Sequence, residues 1–252
     1  VAGVPIVLVF EIAFFVPLPR REVLYALDGD RTARQKVRRY GYHGIQHQAA
    51  CAFAAGRVSP AAAGPPLLLS IYLGPHPELA AVVGRRPVMV TSGATPLEGL
   101  PGHTSCGQLD PGIVLTLAES KHWGPEQIDQ VLTRRSGLLG LVGRPITLGE
   151  LFEDTSVETE LARAVMRHRL LLAAGSGMAA MGGLDAIVFS GPFADLGEQL
   201  GSELAARLTF QGSGRTRPPP VLCFKESLDR LVADQALRLI EHERVRKSPS
   251  SS

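Results

Sequence analysis

Residues Thr91–Leu117, TSGATPLEGLPGHTSCGQLDPGIVLTL, have the most specific composition in the chain. Eight glycines and prolines, two carboxylates, one histidine and one cysteine separate a strand-like apolar run from a helix-like one that opens at Pro111. Backbone that turns repeatedly on Gly and Pro while carrying small polar side chains is how rigid elements present a ligand-facing loop. On composition alone a long surface connection is the commoner outcome.

Upstream of this loop, Pro65–Leu73 and Arg86–Thr91 read as adjacent strands separated by the turn-rich segment GPHPELAAVVG. Pro5–Phe15 reads as a buried strand entering an existing sheet and closed by Pro17 and Pro19, and Arg21–Arg39 as a charged connection. In RRYGYHGIQHQAACAFAAGRV, Arg38–Val58, His43 lies between Gly41 and Gly44 ahead of an alanine-rich helix, Gln46–Ala55, and His47 follows one turn later. A His at a helix head sits where backbone N–H groups and the helix dipole favour anions. A hydrogen-bonded structural His is the slightly more frequent alternative. The i, i+4 pair also has a metal reading, but no third ligand accompanies it.

Downstream, Pro111–Ser120, His122–Leu132, Gln199–Leu208 and Glu226–Arg246 read as helices. Ser136–Gly143 is a glycine-spaced segment, and Glu150–Gly175 one long amphipathic helix. Ala186–Phe189 reads as a strand with Ser190 and Gly191 at its carboxyl end, where ligands of open α/β sheets lie. Gln211–Pro220 is a basic linker, Val221–Phe224 a short strand, and 247–252 a frayed tail. Helices alternating with short strands, without an internal repeat, give an α/β fold.

The chain has 252 residues, 45% hydrophobic and 20% charged, as expected of a globular protein with one large core or two modest ones. Its net charge is +2, with Lys and Arg scattered, so no footprint for nucleic acid or a membrane surface is present. Ile6–Leu18 is interrupted by Glu11 and is too short to span a bilayer. Cys51, Cys106 and Cys223 lack metal spacing and read as free thiols of a reducing cytoplasm.

Five segments, in order, resemble the signatures of the acetate kinase family, short-chain carboxylate kinases of the sugar kinase, Hsp70 and actin superfamily. They are IVLVFEIAFF (6–15), RRYGYHGIQH (38–47), TPLEGLPGHTSCGQLDPGIV (95–114), RRSGLLGLVG (134–143) and MGGLDAIVFSGP (181–192). The resemblance implies a ribonuclease H-like (actin-like ATPase) lobe, a mixed sheet flanked by helices. It divides the chain into a remnant strand of the N-terminal lobe (1–20), a C-terminal kinase-like lobe (21–222), a returning strand and terminal helix (223–246) and a disordered tail (247–252). The family enzyme is longer, and its first lobe has no counterpart here, so a fragment or a truncated relative is expected.

The activity implied is transfer of the γ-phosphoryl of ATP, with Mg²⁺, to a short-chain carboxylate, giving an acyl phosphate and ADP in a cytoplasmic homodimer. Residue by residue, the resemblance makes His43 the catalytic histidine and His47 its companion. Glu11 stands for an Asp near Mg²⁺ or the carboxylate. Gly74, Ser190 and Gly191 stand in the nucleotide and phosphate loops, and Glu226 or Asp229 in the C-terminal Mg²⁺-supporting motif. Ser105 stands where the family has an Arg that clamps the phosphoryl group, and Tyr72 where it has a His. Pro75 and Pro77 remove loop donors, Glu78 adds negative charge beside the expected phosphate, and Pro192 and Ala194 replace glycines. At the adenine contact the chain has Thr147, Leu148 and Gly149. These changes imply a weak or inactive enzyme, or alternatively a non-catalytic relative acting as a binding or partner subunit. A hydrolase built on Ser105 lacks a GxSxG elbow.

Overall fold

The computed structural model describes residues 5–27, 37–60, 63–209 and 217–247. Leu67–Tyr72 (β1) is central, pairing antiparallel with Glu78–Val83 (β2) and parallel with Ala186–Ser190 (β4). Arg86–Val90 (β3) extends the sheet antiparallel beyond β2, and Val221–Cys223 (β5) extends it parallel beyond β4. The order is β3-β2-β1-β4-β5, a mixed sheet.

β2 corrects the reading of GPHPELAAVVG as a turn-rich connection between adjacent strands, because it lies between β1 and β3 in the sheet. Its Leu79–Val82 run is completely buried and hydrogen-bonds on both sides, so pairing overrides the flanking Pro and Gly. A two-residue turn at Gly84 and Arg85, with Gly84 at φ +64, joins it to β3. Pro87 is tolerated because β3 is an edge strand, and the register shifts beside it between Ala81 and Val82.

Alternation along the strands divides the core. Leu69, Ile71, Leu79, Ala81, Ile187 and Phe189 face one way, against the long helix Val157–Met181 (α7) and Gly197–Arg207 (α8). Leu68, Ala80, Val82, Ala186 and Val188 face the other, against Gly44–Ala55 (α2), Phe15, Leu18 and Phe224. Ser70 shares the parity of Leu68 and so points a hydroxyl at α2. The terminal helix, Leu228–Lys247 (α9), packs on α2.

The expected helix over Glu150–Gly175 is two: Leu148–Glu153 (α6) and α7. Thr147 and Glu150 form a capping box that starts α6, and the Asp154 carboxylate accepts from the Ser156 N–H at 2.8 Å, interrupting the helix. The remaining described α-helices are Arg20–Val23 (α1), Pro111–Lys121 (α3), Pro125–Arg134 (α4) and Gly137–Val142 (α5).

The strand expected over Pro5–Phe15 is not formed. Residues 5–10 are irregular, with Ile6 91% exposed, and Glu11–Phe15 makes a 3-10 turn that buries Phe15. An apolar run is a strand only where a neighbour offers a ladder, and no described strand pairs with this one. The turn lies so close under α2 that a Cβ on Gly44 would stand 2.0 Å from the Glu11 carbonyl oxygen. The linker over 211–216 and the tail over 248–252 lie outside the described residues. No described helix is long and apolar enough to cross a membrane, and all three cysteines are free.

Candidate active site

The carboxyl ends of β1 and β4 are tied together where Leu73 N–H donates to Ser190 O (2.8 Å) and Phe193 N–H to Leu73 O (3.1 Å). Tyr72, at the end of β1, lies between the two loops that follow. A Cβ on Gly74 would meet its ring at 2.6 Å, and one on Gly191, held at φ +89, would meet it at 2.8 Å. The tyrosine ring leaves no room for a Cβ at either position, and at Gly191 the Leu73 carbonyl, 2.6 Å from that Cβ, and the positive φ exclude one as well.

His43 heads α2 and stacks on Tyr72, with centroids 3.8 Å apart and planes at 18°. Burial holds its pKa down at about 4, against the opposing charge of Glu78, so the ring is neutral near pH 7. Nε2 donates to the His76 carbonyl (3.0 Å), which leaves the Nδ1 lone pair toward Glu11 Oε1, 4.0 Å away. Burial, and then the Glu78 charge, push the Glu11 carboxyl up from its ordinary value.

Beneath His43 lies a second, fully buried layer. The Glu78 carboxylate accepts from the backbone N–H groups of Tyr42 (3.0 Å) and His43 (2.9 Å). His47 Nε2 stands 3.2 Å from the same carboxylate, in ion-pair range but off the line of a hydrogen bond. His47 Nδ1 is bonded to Ser70 Oγ at 2.8 Å. Burial opposes ionisation of Glu78, but His47, then His43 and the Ser92 hydroxyl outweigh it and hold the carboxyl down at about 2. The expectation that Glu78 flanks a phosphate is thereby corrected: it points inward, under the head of α2. The signal in the sequence is parity, since Ser70 and Glu78 are polar residues at core-facing positions of otherwise apolar strands.

Ser105 is 2% exposed, and its hydroxyl is 3.2 Å from His76 Nδ1. Its backbone is clasped by Gly102 and Gly137, so it is a packed residue of the Gly-rich loop. Glu98 of the same loop carries a network that the sequence reading missed. Arg39 donates to Glu98 (2.6 Å) and to the carbonyls of Thr91 and Ser92, Tyr25 also donates to Glu98, and Glu22 lies 3.7 Å from Arg39.

This set of residues, in one order on this sheet, agrees with a single family. A model described as "Acetokinase family" matches residues 1–212. The chain belongs to the acetokinase family. It is 35% identical over 194 residues to an acetate kinase of Dictyoglomus thermophilum, covering 75% of this chain and 48% of that one. To an acetate kinase of Clavibacter michiganensis subsp. michiganensis it is 36% identical over 222 residues, covering 84% and 54%. Its fold is that of the Porphyromonas gingivalis acetate kinase crystal structure, with TM-score 0.81, 24% identity and coverage of 92% and 63%. The chain spans about half the length of the curated relatives it matches.

Within this acetokinase-family lobe, the residues named for metal and nucleotide are separated. Glu11 is beside His43. Glu226 lines a cavity of about 380 Å³ with Gln46, Tyr72, Gly191, Asp195 and Lys225, and its carboxylate pairs with Arg230 at 3.3 Å. Asp229 is exposed on the first turn of α9. Among the described residues no three His, Cys, Asp or Glu side chains gather to hold a metal ion. Pro75, Pro77 and Pro192 have no N–H, the Phe193 N–H is used by Leu73 O, and the Ala194 N–H by Gly191 O (3.1 Å). Ser190 Oγ is buried without a partner, as is Oε1 of Gln46 at the cavity wall.

Proposed function

We propose that this chain is the kinase-type lobe of a phosphotransferase that moves the γ-phosphoryl of ATP to a short-chain carboxylate, and that the transfer is slow. The bond to the ADP oxygen breaks and one to a carboxylate oxygen forms, yielding an acyl phosphate. The observation that carries the reading is His43, neutral and oriented at the head of α2, with Nε2 committed to His76 O and Nδ1 facing Glu11. Such fixed geometry beside the strand ends suits positioning of a small acid. Slow transfer is supported by the prolines that remove N–H donors from the two loops, Pro75, Pro77 and Pro192, and by a serine where the resemblance places a clamping arginine, whose loss costs on the order of a thousandfold.

The test is hydroxylamine trapping of acyl phosphate from acetate and Mg-ATP, with His43→Ala alongside. Trapped product that falls at least about tenfold in the variant supports the reading. Absence of product, together with no calorimetric heat from Mg-ATP or Mg-ADP added to folded protein, would refute it. The second reading, a non-catalytic relative that binds a small acid or a partner subunit, is favoured by the Tyr72 ring packed between Gly74 and Gly191. A cytoplasmic homodimer belongs to the same proposal. α3 and α4 bury none of their residues, and Ile113 and Leu115 of α3 are exposed. A light-scattering mass of one chain would count against self-association.

A further inference from the structure

We propose that Glu78 is the positioning residue of His43: its buried carboxylate is a resident anion at the head of α2 that fixes the backbone from which the His43 ring is presented. The inference rests on the reading of His43 as the acting side chain.

A helix head leaves N–H groups without intrahelical partners, and an anion placed there is stabilised by those donors and by the helix dipole. In this chain the His43 side chain makes no cap bond to the helix. The anion comes instead from a strand 35 residues away: Glu78 Oε1 accepts from the N–H of His43, the residue on which the helix opens, and Oε2 from the N–H of Tyr42 before it. The carboxylate is 0% exposed and lies within reach of His47 and Ser92, so it is held on several sides. His47 is held in turn by Ser70, which ties the α2 head to both β1 and β2. Glycines on either side leave the turn little stiffness of its own: Gly41 is at φ +72 against the Phe15 ring, and Gly44 touches the Glu11 carbonyl. Without the carboxylate, the orientation of His43 would rest on the Tyr72 stack and the single bond to His76 O.

The groups facing His43 come from every neighbouring element: Glu11 from the 3-10 turn, Tyr72 from β1, His76 from the β1–β2 loop, Glu78 from β2 and His47 from α2. Among their side chains, only that of Glu78 bonds the His43 backbone while being sealed from solvent. Substrate anions cannot use the Tyr42 and His43 N–H groups, which are already taken. A bound acid must therefore meet the His43 side chain and not its backbone.

Two measurements test this. In the wild-type protein, NMR-detected hydrogen exchange should show the Tyr42 and His43 amides strongly protected, whereas a solvated helix head exchanges rapidly. In Glu78→Gln, which keeps the volume but not the charge, both amide protons should move upfield and lose protection. Acyl phosphate formation should show kcat lowered about tenfold to a hundredfold with KM for the carboxylate within about threefold. Rapid exchange of both amides in folded wild type, or a folded Gln variant with wild-type kcat, would overturn the proposal. If neither protein forms acyl phosphate, the kinase reading fails by itself, and the amide measurements still decide the role of Glu78. If the variant does not fold, the wild-type exchange decides alone.

Discussion

Gly44→Ala tests the packing that brings Glu11 to His43. The added Cβ would stand 2.0 Å from the Glu11 carbonyl oxygen, 2.9 Å from Phe14 Cβ and 3.2 Å from the Glu11 carbonyl carbon. Two of these neighbours are backbone and cannot rotate away, so relief requires the 3-10 turn and α2 to separate by about 1 Å. Overpacking of this kind costs about 1–3 kcal/mol, and the backbone contact argues for the upper half of that range. The turn also carries Phe15, which is buried, so its displacement disturbs the core beneath. Urea denaturation should show a lowered midpoint at unchanged slope. Gly175→Ala, in the middle of α7, is the control, because a Cβ there meets nothing within 4 Å. It should gain about 0.5–1 kcal/mol from reduced backbone entropy of the unfolded chain. A Gly44→Ala protein as stable as wild type, with the control behaving as stated, would refute the close packing of these two elements.

Arg39→Ala should cost about 3 kcal/mol, because it removes the charge paired with Glu98, leaving that carboxylate with Tyr25 as donor, and takes the donor from the Thr91 and Ser92 carbonyls. Arg39→Lys should recover only part of this, since an ammonium cannot fork across carbonyls and carboxylate together; melting temperatures decide. Acid should weaken the fold in two steps. His43 is neutral in the fold, so its contribution is full above pH 6.5 and is lost as the pH falls through about 4. That shift corresponds to about 3 kcal/mol, trimmed by screening of the exposed fifth of the side chain. The Glu78 contribution is present above the ordinary carboxyl value of 4.5 and is lost as the pH falls through about 2. Urea midpoints between pH 7 and pH 2 check both, and His43→Gln should remove the upper step. A thiol reagent should modify Cys106 and Cys223 in native protein but spare Cys51, which is buried with its thiol pushed up to about 12. Mass spectrometry reads the sites.

Much of the site was legible because it is local. The glycine-flanked turn at His43, the helix after it, the strand ending at Ser190 and the loop around Glu98 each follow from short-range patterns of Gly, Pro and apolar spacing. What misled was context. IVLVFEIAFF has the composition of a strand but no partner, and ELAAVV sits among turn residues yet is the second strand of the sheet. Strand identity depends on a ladder supplied from elsewhere in the chain, and composition does not record it.

By itself, the sequence determined the family, the α/β class and the substitutions at the loops, since these are properties of residue order. Only the tertiary structure decided what the substituted residues do. Glu78 and Ser70 are far from His43 and His47 along the chain, and it is the pairing of β1 with β2 under α2 that brings them together. The same charge that would repel a phosphate at a loop surface becomes, once turned inward, the anion that holds the helix head. Burial side and partners set the role of a charged residue, and both are fixed by long-range packing.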